Sequence, residues 1–290
     1  MSNADIKQRF LFPDSDIRGE IVRLENTLAP ALQQRGYPMA MEGLLSEAMA
    51  AVVLMAGTLK FRGRLSLQAR GEGPVSLLLA ESTHDNGVRG LVQHRKDDGQ
   101  YHSLADMLGS NAIMALTIRP DEGRQYQGVV PLEGENLAAC LAGYFNQSEQ
   151  LPTRLWLAAG NGRAAGLLIQ RLPEKVASAE DNALTWEHVT TLADTLTMEE
   201  LLDLPVETVL HRLFHEQPPQ LPAPDPVAFS CTCSREKVAN TLISLGKEEL
   251  QSILDEQEAV TISCDFCQSN ETFDAVDLDQ MIHALDNTDQ

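Results

Sequence analysis

Apolar residues recur along this chain with two periods, and the period changes several times. From Arg62 to Arg70 they alternate with polar residues, as on a half-buried strand, and Val75 to Ala80 forms a second strand beyond the turn residues Gly71-Glu72-Gly73-Pro74. Ile113 to Ile118 and Tyr126 to Leu132 make another strand pair around Pro120-Asp121-Glu122-Gly123. Leu155 to Ala159 and Ala164 to Gln170 flank Gly160-Asn161-Gly162, whose Asn-Gly step favours a tight hairpin. Helical spacing is read over Ile21 to Gln34, through Ile21, Leu24, Leu28, Ala31 and Leu32, with Pro30 as a kink. Ser46 to Leu59 predicts a second, more buried helix. Its longest nearly uncharged run, Ala48 to Leu59, is too short to span a bilayer. Hairpins mixed with helices, without a βαβ series, predict an α+β fold.

The pattern changes near residue 175, which separates an N-terminal section, 1–174, from a helical middle section, 175–229. Thr185 to Thr197 and Met198 to Glu216 carry short amphipathic helices. Pro218 to Pro226 then holds five prolines in nine residues, a semi-rigid spacer that excludes helix and central strand and marks a domain boundary. The last section, 230–290, predicts helices at Arg235 to Leu245 and Lys247 to Glu256, strands at Ala259 to Ser263 and Glu271 to Val276, and a helix at Leu278 to Leu285.

Charge narrows the function classes. Net charge is −20, and the section from Ser230 onward, with 13 acidic and three basic residues, carries −10 of it. Phosphate binding relies on Lys and Arg to release counterions, so nucleic acid is a poor partner for this section. Nothing resembles a signal peptide, and the expected compartment is a reducing one, the cytoplasm, with no membrane partner.

Four of the five cysteines form two tight pairs, Cys231-Thr232-Cys233 and Cys264-Asp265-Phe266-Cys267, 30 residues apart. Four thiolates converging on one point make a tetrahedral zinc site. The same atoms can close two short disulfides. A section of about 60 residues buries little core, and structural zinc contributes on the order of 10–16 kcal/mol to such folds, so loss of the metal is expected to unfold it. Zinc also keeps the sulfurs as oxidisable thiolates, and in Cys-x-Cys an oxidised sulfur has a resolving partner beside it. The alternatives are a zinc-stapled interaction module without a switch and a thiol–disulfide oxidoreductase; the latter lacks a βαβ context for Cys264-x-x-Cys267. Cys140, in an apolar helical patch, reads as a small buried hydrophobe. Gly160-x-Gly162-x-x-x-Gly166 lacks the context of a dinucleotide site, and His211 and His215 lack a third ligand. No Walker, G-x-S-x-G or HExxH motif is present, so the expectation is a protein that is neither an enzyme nor ATP-driven.

The cysteine spacing, together with further segments in order along the chain, resembles the redox-regulated holdase chaperones of the thirty-three-kilodalton heat-shock family. Those segments are Arg9-Phe10-Leu11-Phe12, Ile17-Arg18-Gly19-Glu20, Gly71 to Val75, Tyr126 to Leu132, Tyr144 to Thr153, Ala165 to Gln170, Glu199 to Leu202 and His211 to Glu216. The resemblance implies one zinc held by Cys231, Cys233, Cys264 and Cys267 in a reduced, silent state. Oxidation is implied to join Cys231 to Cys233 and Cys264 to Cys267 with zinc release, unfolding of the C-terminal section and then of the middle helices. The oxidised protein is implied to dimerise from a reduced monomer and to hold unfolding client proteins without ATP.

Overall fold

The computed structural model describes residues 5–33, 35–59, 62–95, 101 and 103–288. They divide into two compact units, Met1–Ser230 and Cys231–Gln290.

The first unit is built around one helix and two sheets. Strands β1 (Ile6–Leu11) and β2 (Ile17–Leu24) lead through the short helix α1 (Ala29–Leu32) to α2 (Met39–Thr58). Then follow β3 (Gly63–Arg70), β4 (Val75–Thr83), β5 (Gly87–His94), α3 (Leu104–Leu108), β6 (Ile113–Pro120), β7 (Tyr126–Val130), α4 (Leu137–Gln147), β8 (Thr153–Gly160) and β9 (Arg163–Arg171). The helices α5 (Ala179–Ala193), α6 (Met198–Asp203) and α7 (Val206–Phe214) come next, before the two-residue strands β10 (Asp225–Pro226) and β11 (Ala228–Phe229). One sheet runs β10-β1-β2-β9-β8, the other β11-β5-β4-β3-β6-β7.

Helix α2 packs against strands of both sheets, which explains its composition. Met49 through Met55 are wholly inaccessible on every face, so the helix lacks a polar stripe. At 20 residues, α2 is longer than the pattern predicted and apolar enough to cross a membrane by length and composition, yet most of it is buried within the unit. Arg9 and Arg18 donate to the carbonyls of Gly57 and Thr58 at 3.2 and 2.9 Å, placing two cations at the negative end of the helix dipole.

The first sheet is covered on both faces. Val22, Leu24 and Leu168 join the core around α2, whereas Phe10, Ile17, Ile21, Leu167 and Ile169 form a second core with α5–α7. This corrects the helix expected over Ile21 to Gln34. A strand buried on both faces loses its polar alternation, and Ile21 and Leu24 then mimic helical spacing; only Ala29–Leu32 is helical, and Gln34 lies outside the described residues. Strand β1 went unpredicted because Lys7 and Gln8 are polar. Both are buried, with Lys7 donating to Asn86 and Gln8 to the Pro222 carbonyl.

The segment 175–229 packs into the first unit. Asp16, after β1, accepts the backbone N–H groups of Lys175, Val176 and Ala177 and the Asn182 amide at 2.9–3.2 Å. These bonds, the Lys175 N–H first, hold its carboxyl well below the usual carboxylate range. Arg23 donates to the carbonyls of Leu202 and Leu204 at the end of α6. The helix expected over Met198 to Glu216 is two, because Leu204-Pro205 interrupts it and Pro205 caps α7. The proline-rich stretch is a strap along sheet edges. Gln220 exchanges two backbone bonds with Leu11, β10 pairs with β1, and β11 lies parallel to β5. Edge positions suit proline, which lacks a donor.

The second unit holds α8 (Arg235–Ile243), α9 (Lys247–Glu256), the hairpin β12 (Ala259–Ser263) and β13 (Asn270–Asp274), and α10 (Ala275–Thr288). Its core is six buried side chains: Leu242, Leu250, Phe273, Leu278, Met281 and Ile282. The Arg235 guanidinium lies over the Phe273 ring, 4.2 Å from its centre, and pairs with Asp277 at 2.6 Å.

Candidate metal centre

Two short loops present the four cysteines. Cys231 and Cys233 lie in extended chain just before α8. Ser234 caps that helix by accepting the Lys237 N–H, and Lys237 donates back to the Thr232 carbonyl at 2.6 Å, which fixes the turn. Cys264 and Cys267 sit in the β12–β13 turn. Its closing bonds run from the Cys264 N–H to the Ser269 carbonyl and from the Gln268 N–H to the Cys264 carbonyl, at 2.9 and 2.8 Å. Gln268 adopts φ 59°, and this left-handed residue turns the chain back into β13.

The loops bring all four sulfurs within 4.8 Å of one another. Cys231 approaches Cys264 at 3.6 Å and Cys233 approaches Cys267 at 3.4 Å. Sulfurs about 2.3 Å from a tetrahedral zinc would be about 3.8 Å apart, so the spacing fits such an ion. No disulfide joins these four cysteines, and all four are half-buried. The closest approaches cross between the loops, whereas the disulfides implied by the family resemblance lie within each loop.

Electrostatics separates the thiols. Burial pushes Cys231 up to about 12, and its contacts with the other thiols add to the rise. For Cys267 burial also raises the value, but the hydroxyl and amide of Ser269 and the adjoining thiols outweigh it and bring the group to about 6. Cys233 shares the Ser269 hydroxyl, which lowers it, yet burial and the Cys267 and Cys264 thiols leave it raised. Four anions cannot share this space unaided. A bound dication reverses that balance and stabilises all four as thiolates.

Ser269 was missed in the sequence. Its hydroxyl lies 3.4 Å from Cys233 and 3.1 Å from Cys267, and its position two residues beyond Cys267 was the available signal. Asp16 was missed for want of a signal, since its partners are some 160 residues away. Cys140 is 2% exposed in the first core. Asn161 and Gly162 have φ 53° and 71° and form the β8–β9 turn. The rings of His211 and His215 lie 6.1 Å apart, and among the described residues only the four cysteines group as metal ligands.

Two sheets sharing a central helix, followed in sequence by a separate four-thiol module, define a two-unit protein with a four-cysteine cluster positioned to hold a metal ion. The family model described as Hsp33 protein matches residues 5–274, and the chain belongs to the Hsp33 chaperone family. It is 48% identical to the 33 kDa chaperonin of Pseudomonas aeruginosa (strain UCBPP-PA14), over 97% of this chain and 95% of that one. With the 33 kDa chaperonin of Neisseria meningitidis it shares 44% identity over 97% and 92%. The crystal structure of the 33 kDa chaperonin from Thermotoga maritima superposes with a TM-score of 0.85 over 98% of this chain and 99% of that one, at 22% identity, and supports the fold.

Proposed function

We propose that this protein is a redox-regulated, ATP-independent holdase of the cytoplasm, silent when reduced and zinc-bound, and activated by oxidation of Cys231, Cys233, Cys264 and Cys267. The observation that carries this reading is the convergence of four sulfurs within 4.8 Å in a unit whose core is only six side chains. When bound, zinc holds the sulfurs as thiolates and ties the two loops together.

The chemistry then belongs to the cysteines. A thiolate attacks the O–O bond of a peroxide, forming a sulfenic acid and releasing hydroxide. A neighbouring thiolate displaces the sulfenic oxygen and closes a disulfide. Each pair of thiolates gives up two electrons to one hydrogen peroxide as its disulfide forms, and the peroxide takes up two protons and becomes two waters, so two peroxides convert four thiolates. We assign the disulfides as Cys231–Cys233 and Cys264–Cys267, in keeping with the short loops that carry each pair. No thiolate ligand then remains, and a unit with so small a core unfolds.

The client surface in this reading is the face of the first sheet that α5–α7 cover. Phe10, Phe12, Ile17, Ile21, Leu167 and Ile169 are buried there. Short amphipathic helices are marginal without a packing partner, and the two-residue strands of the strap are weak fastenings. Cys231 follows directly on Ser230, whose N–H bonds the Val88 carbonyl, so unfolding of the second unit pulls on the strap through the chain itself. Released helices would leave a continuous apolar face for unfolding clients and for a second copy in a dimer. Clients are held, not chemically altered.

Zinc content and free thiols, counted before and after peroxide, test the reading together with the light scattering of a heated client. We expect one zinc and four reactive thiols lost together, with scattering suppressed only in the oxidised sample. Zinc retained after peroxide, or zinc lost with no suppression of scattering, would refute it in favour of a structural staple. Non-reducing peptide mapping decides the disulfide pairing.

A further inference from the structure

Several segments that carry the family resemblance have no part in the cysteine site, and four of them meet in one place. Ile17-Arg18-Gly19-Glu20, Tyr126 to Leu132, Tyr144 to Thr153 and Ala165 to Gln170 all contribute to a cavity of about 260 Å³ between the two sheets of the first unit. The volume accommodates a ligand of about ten non-hydrogen atoms. Most of its surface is apolar, from Leu65, Leu116, Ile118 and Phe145 among others.

At one end stands the Arg18 guanidinium, held by hydrogen-bond acceptors on one edge only. Arg18 Nε donates to Gln170 Oε1 at 3.2 Å, and Nη2 donates to Gln170 Oε1 and the Thr58 carbonyl at 2.6 and 2.9 Å. Nη1 has no hydrogen-bond partner, and the guanidinium no ion pair, among the described residues. The nearby Glu20 carboxylate pairs with Arg9. Burial lowers the pKa of Arg18 from its ordinary value, with the Glu20 charge opposing the shift and the Arg9 charge adding to it. Gln170 is 1% exposed and donates its amide to Thr153, which fixes the acceptor that orients Arg18.

The opposite wall is occupied within itself. Tyr126 and Tyr144 both donate to Glu149 Oε1, at 3.1 and 2.9 Å, and Glu149 is exposed at the rim. An anion entering the cavity is therefore steered inward, away from Glu149 and toward the free edge of the guanidinium. A charged guanidinium in an apolar pocket gains most from a desolvated carboxylate with apolar groups behind it.

We propose that this cavity binds a carboxylate carried on a small apolar group, with the carboxylate on Arg18 Nη1 and the apolar part among Leu65, Leu116, Ile118 and Phe145. The group can come from a free small acid or from the C-terminal residue of a polypeptide. None of the lining residues belongs to 175–290, so the site is independent of the cysteine chemistry.

Calorimetric titration of the reduced, metal-loaded full chain with hexanoate and benzoate tests this, with hexanol and benzyl alcohol as uncharged counterparts. N-acetyl-Leu-Phe with a free or an amidated C-terminus distinguishes the two sources. We expect at least one acid to bind at least tenfold tighter than its uncharged counterpart, and Arg18→Met to remove that difference. Ile118→Trp, which fills the cavity and leaves Arg18 in place, should abolish binding while the circular dichroism spectrum is retained. Absence of binding by every acid, equal binding of acids and uncharged counterparts, or unchanged affinity in Ile118→Trp would overturn the proposal.

Discussion

Ser269 and Glu47 show how single residues set the chemistry of their surroundings. The Ser269 hydroxyl contacts the sulfurs of both Cys233 and Cys267, and with its backbone amide it holds the Cys267 thiol near the low end of the thiol range. In the metal-loaded, reduced protein, Ser269→Ala should remove this hydrogen bond to the thiolates and lower metal affinity by about tenfold or more. Competition with a chromogenic chelator measures the loss. Glu47, on α2, has no hydrogen-bond partner among the described residues, and burial pushes its carboxyl up to about 7. In the unfolded chain the group titrates near its ordinary value of about 4.3. Between these values the folded chain binds the extra proton, so stability is highest below the lower one and declines as pH rises toward the upper one. Glu47→Gln should therefore stabilise the first unit at pH 8 by up to about 3 kcal/mol and change little at pH 4, as read from thermal unfolding at the two pH values. The cysteines were legible in the sequence because ligand spacing is local. The burial of Glu47 was not, because it depends on what packs over α2.

Among the elements, α7 shows the clearest match between pattern and packing. Val206, Val209, Leu210, Leu213 and Phe214 lie on one face and are buried, and the Phe214 ring meets Phe10 and Phe12 at centroid distances of 6.0 and 5.2 Å. Phe214→Ala should weaken the docking of α7 by about 3–5 kcal/mol. The measurable consequence is a rise in apolar-dye binding by the reduced protein and capture of unfolding clients without oxidant; unchanged dye binding would show that α7 is not the cover. The amphipathic spacing of α7 was visible in the sequence, as were α9 and β12 to the residue. The partner face of α7 was not, because it is one side of a strand pair whose other side faces α2. Burial on both faces erased the period-two signal of β2, and polar but satisfied Lys7 and Gln8 hid β1. The proline stretch presents the converse case. Its composition excludes helix, yet the same lack of donors suits it to lie along sheet edges and tie them together.

Across the whole molecule, the two units differ in how they are stabilised. The first has two cores on either side of a sheet, and the second has six buried side chains and a site for a metal. A structural metal contributes on the order of 10–16 kcal/mol, comparable to the whole stability of a domain. Chelation under reducing conditions should therefore unfold 231–288 while α2, β2 and β9 remain folded. Amide hydrogen exchange reads this directly, as loss of protection in the second unit and retention in the first. The −20 net charge, half of it from Ser230 onward, adds self-repulsion that favours unfolding once the cross-link is lost, most strongly at low salt. The sequence by itself determined the paired cysteines, the α+β class, the amphipathic helices and the acidic character, because each is written in local spacing or in composition. Only the tertiary structure decided that the sulfurs meet within bonding range of one ion, that α5–α7 cover one face of a two-faced sheet, and that Arg18 lines a cavity with one edge of its guanidinium free. These depend on contacts between residues 30 to 200 positions apart, and no local period encodes them.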